Sequence, residues 1–182
     1  MPQLTRKQII VGAILTVLLV VAVVEYLYLY GPLGEGEPSA EQLTKTAMEA
    51  PQVNEREKAV LRLGAKGRVA VPQLREVLRQ AREPEVKAAA VRSLADNYDY
   101  QSVPAMLKGL DDPSPLVRSR SHAALVKVLG VKAIDYDVHA PPAEQQKYVE
   151  FYRSQWKGLQ GSPAMRAQEE KVDRIKGPIG GR

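Results

Sequence analysis

Hydrophobic positions fall into two patterns along the chain. From Ile9 to Val24 no residue is charged, and only Gly12 and Thr16 break the run weakly. Beyond Ser39, apolar residues recur every three or four positions among Lys, Arg, Glu and Gln, the period of amphipathic helices. The first pattern predicts one transmembrane helix over residues 8–30. At ~1.5 Å per residue, Ile9 to Tyr30 would span about 33 Å, against about 30 Å of bilayer hydrocarbon. Tyr26, Tyr28 and Tyr30 stand where an interfacial aromatic belt belongs, which also makes Glu25 tolerable. Gly31 and Pro32 end the helix.

Flanking charge sets the expected orientation. Arg6 and Lys7 precede the span, and no Lys or Arg follows until Lys45. Residues 1–7 are therefore expected in the cytoplasm, and the rest outside, on the periplasmic face of a single-pass protein of the cell membrane. A cleaved secretory signal would deliver the domain to the same side. The bulky Tyr-Leu-Tyr-Leu-Tyr run stands where such a signal has small residues.

Residues 31–38 (GPLGEGEP) read as a flexible linker. Ser39 with Gln42 forms a capping box for a helix burying Leu43, Ala47 and Met48. The chain then repeats. Basic Arg56, Lys87 and Arg118 are spaced 31 residues apart (56 to 87 to 118), as are small Ala59, Ala90 and Ser121, and Leu63, Leu94 and Leu125. Between them Val71-Pro72-Gln73-Leu74 matches Val103-Pro104-Ala105-Met106. This period predicts stacked helix pairs, an all-α solenoid over residues 39–130, with small residues at the closest helix approaches. Asn54 with Glu57, and Ser114 with Pro115, read as helix starts; Gly130 reads as a helix end.

The order "V-R/K…A…L" then "V-P-x-L…L" resembles the short bacterial form of the HEAT repeat, over about residues 40–130. The resemblance implies a right-handed helical stack that binds another protein. It also implies an alternative, because some HEAT-like proteins are bilin lyases: a lyase-like action on a tetrapyrrole-carrying or other envelope substrate. Two departures stand out. Glu55 replaces the valine of the other copies, and the third copy has no Val-Pro second helix.

Residues 131–160 read as a connector followed by a capping helix from about Ala143 to Leu159. Tyr148, Phe151, Tyr152, Gln155, Trp156 and Leu159 share one face of that helix. This face is expected to cover the last repeat; the rival expectation is a docking patch made by Tyr148, Tyr152 and Trp156. Residues 161–182 read as a flexible basic tail in which Ser162-Pro163 can start a short polar helix to Lys176.

Composition narrows the chemistry. The chain has no cysteine, so disulfides, thiolate metal sites and cysteine nucleophiles are excluded. The net charge of +5 lies partly beside the membrane segment and in the tail, so no nucleic-acid partner is expected. His122 reads as a surface or edge residue. Asp135, Asp137 and His139 alternate in a connector and would converge only in an extended strand, so no metal is expected. Asp96 to Tyr100 reads as a turn between helices, and the HEAT resemblance implies that an acid at the next bend, Asp111 or Asp112, pairs structurally with Arg118. No catalytic motif, cofactor or small-molecule substrate is indicated. The expected function is scaffolding of a protein partner in the cell envelope. Second helices would present Gln73, Arg75, Glu76, Arg79, Ala105 and Lys108 on the concave face, with Arg75, Arg79 and Lys108 as the chief contacts.

Overall fold

The computed structural model describes residues 6–30 and 37–179, and within the first stretch the side chains of residues 14–27. Expectations for residues 1–5 and 31–36, most of the linker among them, lie outside the described residues. The chain divides into two units, residues 1–38 and 39–182.

In the first unit, α1 runs without a break from Arg6 to Tyr30. Its apolar residues favour no one face. Ile14, Leu18, Leu19, Val21 and Val24 are all exposed, as is Tyr26. Among the described residues no helix is long and apolar enough to cross a membrane.

The second unit is helical. Ser39 caps α2 (Ala40–Glu49) as the sequence predicts: its hydroxyl accepts from the Gln42 N–H at 3.1 Å, and the Gln42 side chain accepts from the Ser39 N–H at 2.7 Å. Then follow α3 (Val53–Ala65), α4 (Val71–Gln80), α5 (Pro84–Asp96), α6 (Val103–Gly109) and α7 (Pro115–Leu129). Helices α3, α5 and α7 pack side by side, with α2 on α3, α4 on both α3 and α5, and α6 on α7. This is the expected stack of helix pairs.

The residues that recur in the sequence line its seam. Leu63, Leu94 and Leu125 are fully buried, as are Val60, Val91 and Ser121. Burying one such aliphatic side chain stabilises the fold by about 1.5–3 kcal/mol, so these rows carry much of the packing energy. Helix α7 ends at Gly130 with φ of 65°, the left-handed cap that glycine adopts without strain.

Two expected caps are absent. Helix α3 starts at Val53, which places Asn54 inside the first turn, and Gln52 stands at the cap without a side-chain bond. Ser114 does precede α7, but its side chain bonds no helix N–H; its own N–H donates to the Asp112 carboxylate at 2.9 Å. Short 3-10 turns, Gly67–Ala70 and Tyr100–Ser102, lead into α4 and α6. They put Pro72 and Pro104 in the first turn of each helix, where no intrahelical N–H is needed.

The third copy closes differently. Residues 131–141 form an irregular connector, and α8 (Pro142–Leu159) then packs on α6 and α7. Within the expected flexible tail, the helix that Ser162-Pro163 can start does form: α9 runs from Pro163 to Lys176, with the Ser162 hydroxyl accepting from the Met165 N–H at 3.1 Å. Asp173 of this helix pairs with buried Arg68 at 2.7 Å.

Candidate functional site

The repeating basic residues form a ladder that ties each helix pair to the next connector. Arg56 donates to the Ala50 carbonyl at 2.8 Å and pairs with Glu83 at 3.0 Å. Lys87, one repeat on, pairs with Asp112 at 3.2 Å. Arg118 reaches the Asp112 carbonyl at 2.7 Å and the Val138 carbonyl at 2.6 Å. The expected meeting of Asp112 with Arg118 therefore runs through the backbone. The Asp112 carboxylate faces Lys87 and the Ser114 N–H instead.

Between α4 and α6 lies a cavity of about 740 Å³ whose walls include Arg75, Arg79, Lys87 and Lys108. Leu78, Val91 and Val117 give it apolar floor. All three basic residues picked out on the second helices thus reach one groove, but they are not equivalent there. Among the described residues Lys108 is exposed with no ion pair, and the Arg79 side chain is 72% exposed and tied only to Glu76 one turn back in the same helix. The Arg79 bond lowers the Glu76 pKa and raises that of Arg79.

Arg75 is committed to the fold. Its guanidinium grips the fully buried Asp99 at two points, one of them Nε to Oδ2 at 2.8 Å, and donates to the Gln101 side chain at 2.7 Å. The Asp99 bond raises the Arg75 pKa above its ordinary value. Ser102 also donates to Asp99, so the charged oxygens are well satisfied. Gln73 and Glu76 lie half-buried on α4, and Ala105 is exposed on the groove wall. Lys87 belongs to the groove as well. The 31-residue repeat marked it as basic, but no local pattern shows that a first helix reaches the concave side.

The aromatic face of α8 covers the last repeat. Tyr152 is fully buried and Trp156 nearly so, and Tyr148 is half-buried, its ring 4.8 Å from Tyr136. Tyr152 and Trp156 therefore offer no surface to a partner. Sequence alone left the cap and the docking patch both open, and burial decides for the cap. Burial also pushes the Tyr152 hydroxyl up to about 12.

His122 is the surprise in this cluster. It was expected as a surface or edge residue; it is half-buried, its ring stacked on Tyr136 at 4.5 Å and meeting the edge of Tyr152 at 5.6 Å. Its Nε2 is buried without a hydrogen-bond partner among the described residues, and burial lowers its pKa. The connector above it is exposed at Asp135, Asp137 and His139, and Asp137 accepts from the His139 N–H at 2.8 Å. Among the described residues, no three acidic or histidine side chains gather closely enough to hold a metal ion.

Comparison with known proteins now adds to the geometry. The family model described as HEAT repeats matches residues 71–136. Over those residues the chain is similar to HEAT repeats. The match spans α4 to α7 and most of the connector, so it takes in the whole groove between α4 and α6. HEAT repeats generally serve as scaffolds for protein–protein interaction, which fits a groove with an apolar floor and charged walls. No curated protein and no solved structure matches the chain.

Proposed function

We propose that the chain is a membrane-anchored scaffold whose α4–α6 groove docks a protein partner at the outer face of the cytoplasmic membrane. The observation that carries the docking reading is the pair of accessible cations, Arg79 and Lys108, on either side of an apolar floor. That arrangement suits a segment with acidic flanks and an apolar centre. The protein works by binding, with no catalysis, metal or cofactor of its own. The anchor reading rests on α1, an unbroken helix with no charge from Ile9 to Val24 and with Ile14, Leu18 and Val21 exposed. Arg6 and Lys7, its first two residues, support a cytoplasmic N-terminus.

Two measurements test the proposal. The full chain is expected in the membrane fraction, resisting alkaline carbonate and yielding to detergent, with its repeats cut by protease added to spheroplasts. Release by carbonate would remove the anchor, and protection from protease would reverse the orientation. For docking, a photo-crosslinking amino acid replaces exposed Ala105. One discrete adduct is expected in cells, and Arg79→Glu with Lys108→Glu should abolish it. An adduct unaffected by the double reversal would refute the groove.

A further inference from the structure

We propose a second docking site, centred on Arg68, for an acidic amphipathic helix of a partner protein, with α9 as the segment that fills it in the resting chain. Arg68 lies in the turn before α4 and is 5% exposed, a burial rare for a cation unless it is paired. Its Nη2 donates to one oxygen of Asp173 at 2.7 Å, and its Nη1 to the Asn97 carbonyl at 3.3 Å. Its Nε is buried and finds no acceptor among the described residues. A carboxylate set side-on to the guanidinium would satisfy Nε and Nη2 together, which is the stronger arrangement. Asp173 satisfies only one of them.

A second polar group points the same way. The Tyr100 hydroxyl is buried without a partner among the described residues. Burial, and then the charge of nearby Glu169 on α9, push it up to about 12. Helix α9 therefore covers the site with two carboxylates in place but leaves two buried donors unused.

The hold of α9 is also thin. Val172 is its one buried residue, Ile175 is 71% exposed, and the Asp173 side chain remains 49% exposed. Beyond the Arg68 pair, Lys176 donates to the Asp96 carbonyl at 2.6 Å. A helix held by buried Val172, partly buried Met165, the Arg68 pair and Lys176, which also lies over the Tyr98 ring, has a small interface and is among the first elements to open. The chemistry of the occupant follows from α9 itself: an apolar residue followed at once by a carboxylate, with a second carboxylate one turn earlier, as in Glu169, Val172 and Asp173.

The probe is a fluorescein-labelled peptide of residues 162–179, added to the full chain in detergent and followed by anisotropy. Asp173→Asn in the chain weakens the built-in competitor and leaves the site intact. It should tighten peptide binding at least about tenfold, which corresponds to about 1.4 kcal/mol. The same substitution in the peptide should weaken binding to that variant by a similar factor. Arg68→Gln should abolish binding, and if that variant fails to fold, the peptide pair still decides. Equal binding to both chains, or no effect of the peptide's carboxylate, would overturn the proposal. A concentration-dependent dimer of the wild-type chain in sedimentation would assign the site to a second copy and overturn the partner reading.

Discussion

Gly64 on α3 lies so close to Ser93 on α5 that a Cβ at position 64 would stand 2.5 Å from the serine Oγ and 2.6 Å from its Cβ. No real Cβ tolerates both contacts, so the two first helices meet at this point because glycine is there. Gly64→Ala should cost about 1–3 kcal/mol, read as a lower urea midpoint with unchanged slope. Ser93→Ala should not rescue it, since the clash with the β-carbon remains.

Gly109 meets Ser121 on a different atom, and the rescue pattern should invert. There an added Cβ would stand 2.1 Å from the Ser121 Oγ but 3.1 Å from its Cβ. The Ser121 hydroxyl is itself buried without a partner among the described residues. Ser121→Ala should therefore be close to neutral alone, and should recover most of the loss caused by Gly109→Ala. A double-mutant cycle measures the coupling; strict additivity would show that the helices shift apart instead.

Arg75 and Asp99 set the limits of any experiment on the groove. Removing Arg75 leaves the fully buried Asp99 carboxylate with its other neighbours alone. Arg75→Ala should destabilise the fold by about 3–5 kcal/mol. Arg79→Ala and Lys108→Ala should stay within about 0.5 kcal/mol of wild type. Thermal melts of the three variants check this, and an innocuous Arg75→Ala would mean that Asp99 is not held as the structure has it.

His122 gives the C-terminal cap a pH dependence of known sign. Burial between Tyr136 and Tyr152 lowers its folded pKa below its value in the unfolded chain. The unfolded chain therefore binds the proton more tightly. The contribution of the neutral ring is complete above about pH 6.5 and is lost as pH falls from there towards the folded pKa. The urea midpoint should drop between pH 7.5 and 5.5, and His122→Phe should flatten that part of the profile. An unchanged slope in the variant would place the titration elsewhere.

Arg118 should prove to be the clamp of the irregular connector. Its Nε and Nη2 both donate to the Val138 carbonyl, at 3.0 and 2.6 Å. Arg118→Lys keeps the charge but loses that fork, at about 1–2 kcal/mol. Hydrogen exchange should rise at residues 131–141 before it rises in α7. Uniform protection in the variant would show that the connector is held by other contacts.

How much of this was legible in advance depended on the range of the interaction. The seam was legible because Leu63, Leu94 and Leu125 announce themselves by period, and burial is the direct consequence of that period. The Ser39 cap was legible because donor and acceptor sit three residues apart. The equivalent reading at Asn54 failed because α3 starts earlier, at Val53, where tertiary packing rather than a side-chain bond fixes the first turn. His122 was misplaced because its environment comes from Tyr136 and Tyr152, on segments that helical spacing cannot relate to it. In the groove, the residue types of Arg75, Arg79 and Lys108 were readable, but their states were not.

The sequence by itself determined that the chain has an apolar N-terminal helix, a run of paired helices with a 31-residue step, and an aromatic helix after them. These are properties of local period and composition, which each segment carries wherever it folds. Only the tertiary structure decided that Arg75 serves Asp99 while Lys108 stays exposed, that Tyr152 and Trp156 face inward, and that α9 returns to Arg68. Those outcomes join residues such as Arg68 and Asp173, 105 positions apart in the chain. Which charge finds which partner at that distance is set by how the helices stack.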